Sequence, residues 1–69
     1  MTVKDLLLLV DDFEDIAIYE KSSFVRSVDS YAYEILNDEN YTKWLKCEIE
    51  RIESDINGEG DSYTSIYLQ

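Results

Sequence analysis

Apolar positions change their period several times along the 69 residues, and the changes divide the chain into short elements. Val3, Leu6, Leu7 and Val10 recur at helical spacing. Thr2 with Asp5 three residues on has the form of an acidic capping box, in which each side chain accepts from the other residue's backbone N–H. The spacing predicts a helix over residues 3–10, ended by the run Asp11-Asp12-Phe13-Glu14-Asp15. Residues 15–20 then alternate Ile16 and Ile18 against Ala17 and Tyr19, the period of a strand. Lys21, Ser22 and Ser23 read as a turn. In residues 24–28, Phe24, Arg26 and Val28 fall on one side and Val25 and Ser27 on the other, so a hairpin partner for the first strand is expected. Asp29 or Ser30 is placed to cap a second helix over residues 31–36, and the polar residues 37–40 break it.

Residues 41–56 satisfy two templates. As a helix they line up Leu45, Ile49, Ile52 and Ile56, with Lys46 and Glu50, and Arg51 and Asp55, as four-apart charge pairs and Gly58 just beyond the end. As a strand, residues 47–55 put Cys47 and Ile49 on one face and then change phase before Ile52, which requires a bulge. The pattern alone favours the helix. Residues 62–68 are β in either case, with Thr64, Ile66 and Leu68 on one face and Tyr63, Ser65 and Tyr67 on the other. Residues 47–55 are their candidate hairpin partner across the loop of residues 57–61.

Size and charge narrow what such elements do. A chain this short is one domain, residues 1–69, and buries roughly 60% of the surface its unfolded form exposes. A single cysteine, Cys47, makes no internal disulfide, and the absence of histidine removes the commonest zinc ligand and any base to activate that thiol. The longest apolar run, Leu6 to Val10, is far below the roughly 20 residues that span a bilayer, and it leads into Asp11 and Asp12 rather than a cleavage site. A cytoplasmic location is expected. Sixteen acidic against six basic residues give a net charge of -10, which disfavours direct binding to nucleic acid or an anionic membrane and favours a basic protein partner.

The opening MTVKDLLLLVDDFEDIAIYE resembles the start of small acidic proteins encoded by phages and prophages of Gram-positive bacteria. In those a Met-Thr-Val/Ile-Lys helix is followed by an Asp-rich turn and an Ile-x-Ile-Tyr strand. Residues 48–53 and 65–68 match the paired strands with which they end. The resemblance implies that the Cys47 segment is β and that the fold is α+β in the order α-β-β-α-β-β, a four-stranded antiparallel sheet with two helices on one face. Three helices with a smaller sheet is the alternative left by the helical reading of residues 41–56. In size and charge the chain resembles anti-CRISPR proteins, and a phage origin would place it in the host cytoplasm.

Two acidic clusters are the candidate contact residues. Asp11, Asp12, Glu14 and Asp15 form the first, in a stretch from Asp5 to Glu20 that holds no basic residue; Glu48, Glu50, Glu53, Asp55, Glu59 and Asp61 form the second, relieved by Arg51. In the strand reading Glu48 and Glu50 share one face and, after the phase change, Glu53 and Asp55 share another. Duplex DNA carries a negative charge about every 1.7 Å of axis, so fixed rows of carboxylates suit the basic groove of a DNA-binding protein. The plainer reading is a solvated face that keeps a small protein from clumping. Asp55, Asn57, Glu59, Gly60 and Asp61 are similar to the first half of a calcium loop. However, the twelfth position, which needs a bidentate Glu, is Ile66, so a hairpin turn and no metal are expected.

No P-loop, nucleophile elbow or Ser/His/Asp set is present, so the chain reads as a non-enzyme without a cofactor. Most of the aromatic residues suit core and sheet packing. Tyr63 and Tyr67, on the outer face of the last strand, are the candidate aromatic interface. The leading expectation is an inhibitor from a phage or mobile element that binds a host nucleic-acid-binding defence or regulatory protein through a DNA-like acidic surface. The alternative is a small assembly module that self-associates, as a homodimer for example, through its sheet edge and tyrosines.

Overall fold

The computed structural model describes residues 1–56 and 58–69. Its elements in chain order are α1 (Val3–Leu7), β1 (Asp15–Tyr19), β2 (Val28–Tyr31), α2 (Ala32–Asn37), a 3-10 turn (Glu39–Tyr41), α3 (Thr42–Leu45), β3 (Ile49–Ile56) and β4 (Ser62–Leu68). The fold is α+β, with one four-stranded sheet in the order β2-β1-β4-β3. β1–β2 and β3–β4 are antiparallel hairpins, joined side by side through a parallel pairing of β1 with β4 that runs from Asp15↔Tyr63 to Tyr19↔Tyr67.

The sheet is therefore mixed rather than wholly antiparallel, and three short helices accompany it rather than two. Composition explains the strand order. β1 and β4 hold three successive buried residues each, Ile16-Ala17-Ile18 and Thr64-Ser65-Ile66, and such strands are covered on both faces. β3 (IERIESDI) carries Glu50, Arg51, Glu53 and Asp55 and takes one edge, where charge is tolerated, and β2 (VDSY), with Val28 alone fully buried, takes the other. The segment holding α2 and α3 is long enough for the crossover that parallel neighbours need.

The core lies between the helices and one face of the sheet: Val3, Leu7, Ile16, Ile18, Val28, Ala32, Ile35, Ile66 and Leu68 are buried together, with Leu36, Tyr41, Trp44, Leu45, Cys47 and Ile49 against them. α1 begins at the expected capping box, the Thr2 N–H donating to Asp5 Oδ2 at 3.0 Å and the Asp5 N–H to Thr2 Oγ1 at 3.3 Å. It stops at Leu7, short of the expected residue 10, and Leu8 and Leu9 beyond it are exposed.

The second strand also departs from expectation. Phe24 and Val25 are 99% and 74% exposed in a loop, and the pairing to β1 is made by Val28 to Tyr31, where the pattern expects the strand to end at Val28, Asp29 or Ser30 to cap a helix and Tyr31 to begin it. Val28 is buried against the core while Asp29 and Tyr31 face out, so packing against β1 overrides local preference. The helical reading of residues 41–56 fails beyond Leu45: Ile49–Ile56 pairs with β4, and the phase change appears as a register shift between Ile49 and Arg51. A helix would have needed Ile52 and Ile56 inside, whereas they are 42% and 67% exposed.

Candidate functional site

Parallel pairing of β1 and β4 decides where the carboxylates go. Because both strands start at the same end of the sheet, the loop before β1 and the loop before β4 meet there, and these are the two loops that carry Asp11, Asp12, Glu14, Glu59 and Asp61. In a wholly antiparallel arrangement of these two neighbours the loops would lie at opposite ends. Asp11, Glu14, Asp15 and Asp61 line one cavity of about 400 Å³ together with Phe13, Tyr31 and Ser62, and none of these residues is basic. β3 ends at the same place, with Asp55 opposite Tyr63 and the Tyr63 hydroxyl donating to Asp55 Oδ2 at 3.4 Å.

Backbone hydrogen bonds hold the first acidic loop in place. The Glu14 N–H donates to the Asp11 carbonyl and the Phe13 N–H to Asp11 Oδ1, at 3.0 and 2.9 Å. The Ala32 and Tyr33 N–H groups, at the start of α2, donate to the Glu14 and Asp12 carbonyls at 3.0 Å each. Thr64 Oγ1 donates to Glu14 Oε1 at 3.4 Å. The carboxylates are therefore carried on an anchored turn, so displaying them together costs little extra conformational entropy on binding. Burial, then a hydrogen bond with Asp29 and the charge of that residue, raise the Asp15 carboxyl above its ordinary value of 3.8.

The remaining acidic candidates are dispersed. Glu48 and Glu50 lie toward the other end of the sheet, where Glu48 Oε2 is 3.2 Å from the Met1 ammonium and Glu50 lines a hollow with Lys21 and Arg51. Glu53 sits midway along β3 on the outer face, 3.9 Å from Arg51. The basic residues lie toward this other end: Lys4 in α1, Lys21 in the β1–β2 loop, Lys43 and Lys46 in and after α3, and Arg51 opposite Tyr67. Arg26 reaches furthest back, to Asp29 Oδ2 at 3.0 Å and over the Tyr63 ring at 5.3 Å.

Tyr63 and Tyr67 project from the outer face of the sheet, but β4 is an inner strand, so they mark a face and not an edge. Their rings are engaged within the chain: Tyr67 stacks on Tyr19 at 4.9 Å beneath the Arg51 guanidinium at 4.1 Å, and Tyr63 lies under Arg26. Desolvation, followed by Asp55 for Tyr63 and by Glu53 for Tyr67, pushes both hydroxyls above the usual tyrosine range. This layer covers Ala17 and Ser65 behind it, which are 1% and 4% exposed.

Sequence reasoning missed the aromatic group at the anionic end. Phe13 packs edge-on to Tyr33 at 5.4 Å and to Tyr31 at 6.2 Å, and all three are exposed. The available signal was Phe13 itself, an apolar residue set in a run of carboxylates. Of the half calcium loop, Asn57 lies outside the described residues, and among the described residues no group of His, Cys, Asp or Glu is arranged to hold a metal ion. No helix among them is long and apolar enough to cross a membrane. Comparison of the chain with protein-family models, with curated proteins and with solved structures returned no match.

Proposed function

We propose that the chain is a non-catalytic binding protein whose anionic end occupies a cationic groove on a partner protein. The single observation behind this reading is the union of the two acidic loops around one hollow whose lining holds no basic residue. Sixteen acidic residues spread evenly would serve solubility alone; here the loops before β1 and β4 bring Asp11, Asp12, Glu14, Glu59 and Asp61 to one end of the sheet while the lysines lie elsewhere. Such a segregated field steers a cationic partner to one end of the molecule and suits a surface built to hold phosphates. Exposed Phe13, Tyr31 and Tyr33 add apolar area and π-faces for arginine side chains.

In the setting that the sequence resemblance implies, the partner is a host nucleic-acid-binding defence or regulatory protein, and the chain is an anti-CRISPR-like inhibitor that competes with DNA. Self-association through the tyrosine face is the competing reading. It is weakened by the engagement of Tyr63 and Tyr67 with Arg26, Arg51 and Tyr19. The test is capture of partners from bacterial lysate at low and high salt, by the native chain and by the combined variant Asp11→Asn, Asp12→Asn, Glu14→Gln, Asp61→Asn. The expected result is a DNA-binding protein held at low salt, released by added duplex DNA, and lost by the variant. A partner without a basic groove, retained equally at high salt and by the variant, rules the reading out.

A further inference from the structure

β3 is an edge strand, and its approach is already paired on the open side by the chain's own first residues. Thr2 bridges Glu48 in antiparallel sense, the Ile49 N–H donates to the Met1 carbonyl and the Val3 N–H to the Cys47 carbonyl, both at 3.0 Å. Beside this backbone pairing the Met1 ammonium meets the Glu48 carboxylate at 3.2 Å. One short extended segment with a cation thus docks on one end of the edge. Past the register shift between Ile49 and Arg51 the edge runs on to Ile56, and every residue from Glu50 to Ile56 is exposed.

The uncovered part has two distinct sides. Arg51, Glu53 and Asp55 line the outer face, and Ile52, Ser54 and Ile56 line the helix side, with Ile52 42% and Ile56 67% exposed. An edge that no second strand among the described residues covers, flanked by exposed Ile52 and Ile56, is a template for another strand, with the Ile56 N–H at its end donating to Asp55 Oδ1 at 2.8 Å. The carboxylates choose which strand. A second copy of this chain is opposed by its own charge of -10, and an antiparallel register that would pair Ile52 with Ile56 of that copy sets Glu53 against Asp55 of the copy. A segment with basic residues at alternate positions satisfies both sides at once.

We propose that the free edge of β3 accepts an extended segment of a basic partner as a fifth strand, with its basic side chains toward Glu53 and Asp55 and the intervening apolar ones toward Ile52 and Ile56. The inference deepens the reading above by adding a backbone contact to an electrostatic one, and it rests on that reading only in the basic character of the partner.

The test uses the full chain and synthetic capped peptides of alternating Lys and Val, followed by amide NMR and titration. Three comparisons accompany it: a peptide of the same composition with Lys and Val in separate blocks, peptides N-methylated on each alternate set of amides, and the protein variant Glu53→Lys, Asp55→Lys. The alternating peptide is expected to shift β3 amides and protect them from exchange. Affinity is expected to fall at least tenfold for the block peptide, for one of the two methylated peptides and for the variant. The protein with Asp11, Asp12, Glu14 and Asp61 neutralised should bind the alternating peptide as before, so lysate partners retained by that variant refute the anionic-end reading alone and leave the fifth strand standing. Equal affinity for all the peptides, shifts confined to the acidic loops, or protection of β3 by concentration-dependent dimers each overturns the fifth-strand proposal; the methylated peptides decide it even if the protein variant does not fold.

Discussion

Asp15 is placed against its own chemistry. It opens β1, its partners across the sheet are Tyr31 and Tyr63, and burial first, then a hydrogen bond shared with Asp29, raise its carboxyl above 3.8. A carboxyl that holds its proton more tightly in the folded state than in the unfolded chain favours folding while protonated. Its contribution therefore declines as pH rises from 3.8 through the raised folded value and stays low above it. Asp15→Asn removes that penalty. Since Asp15 keeps contact with solvent, the gain at neutral pH is under about 1 kcal/mol, a rise in Tm of a few degrees or less in a domain of this size. Thermal melts at neutral pH and below pH 3.8 check this: the variant should melt higher than the native chain in the first and not in the second. Identical melting in both refutes the assignment. Asp5 behaves oppositely, because its hydrogen bonds from Thr2 hold it below 3.8 and favour the ionised form.

At the scale of elements, what the sequence made legible was local. The Thr2–Asp5 box, the alternation of Ile16 and Ile18, the strand from Ser62 to Leu68 and the bulge before Ile52 each depend on neighbours a few residues away. β2 was misplaced because Phe24 and Val25 look like strand residues and Asp29 and Ser30 look like a cap, and the choice is made by Val28 packing under the helices. The parallel union of β1 and β4 was not legible at all, since no residue in either strand names its neighbour. With it went the knowledge that the first acidic cluster meets the Asp61 end of the second. The β3–β4 hairpin was only one of two readings, since the pattern alone favours a helix over residues 41–56 and the strand came from the resemblance; the hairpin's loop gives a second prediction. Gly60 has φ 87°, a conformation that costs a side chain, whereas no left-handed angle marks Gly58, and both have open space around them. Gly60→Ala should destabilise the fold by about 1 kcal/mol and Gly58→Ala by less than about 0.5 kcal/mol, read from denaturant midpoints. Equal losses at the two positions would mean that the turn is not held by backbone conformation.

Across the whole molecule, stability and binding draw on the same charges with opposite signs. Ten net negative charges on one small domain repel one another, and the concentration of carboxylates around a single hollow makes that repulsion local. Salt screens both this self-repulsion and the attraction to a basic partner, with a Debye length near ~10 Å at about 0.1 M and ~3 Å at about 1 M. Raising salt over that range should therefore increase the Tm of the free chain while weakening its complex, two responses that a fold stabilised by its ion pairs would not combine. The ion pairs Arg26–Asp29, Arg51–Glu53 and Met1–Glu48 are exposed and contribute little, so their screening does not reverse the trend. Neutralising Asp11, Asp12, Glu14 and Asp61 together should reproduce the first effect at low salt, raising Tm and flattening its salt dependence, at the cost of binding. Calorimetric melts of both forms across a salt series decide the matter. If the neutralised chain melts no higher and retains the same salt slope, the carboxylates are spread too thinly in space to act as one site.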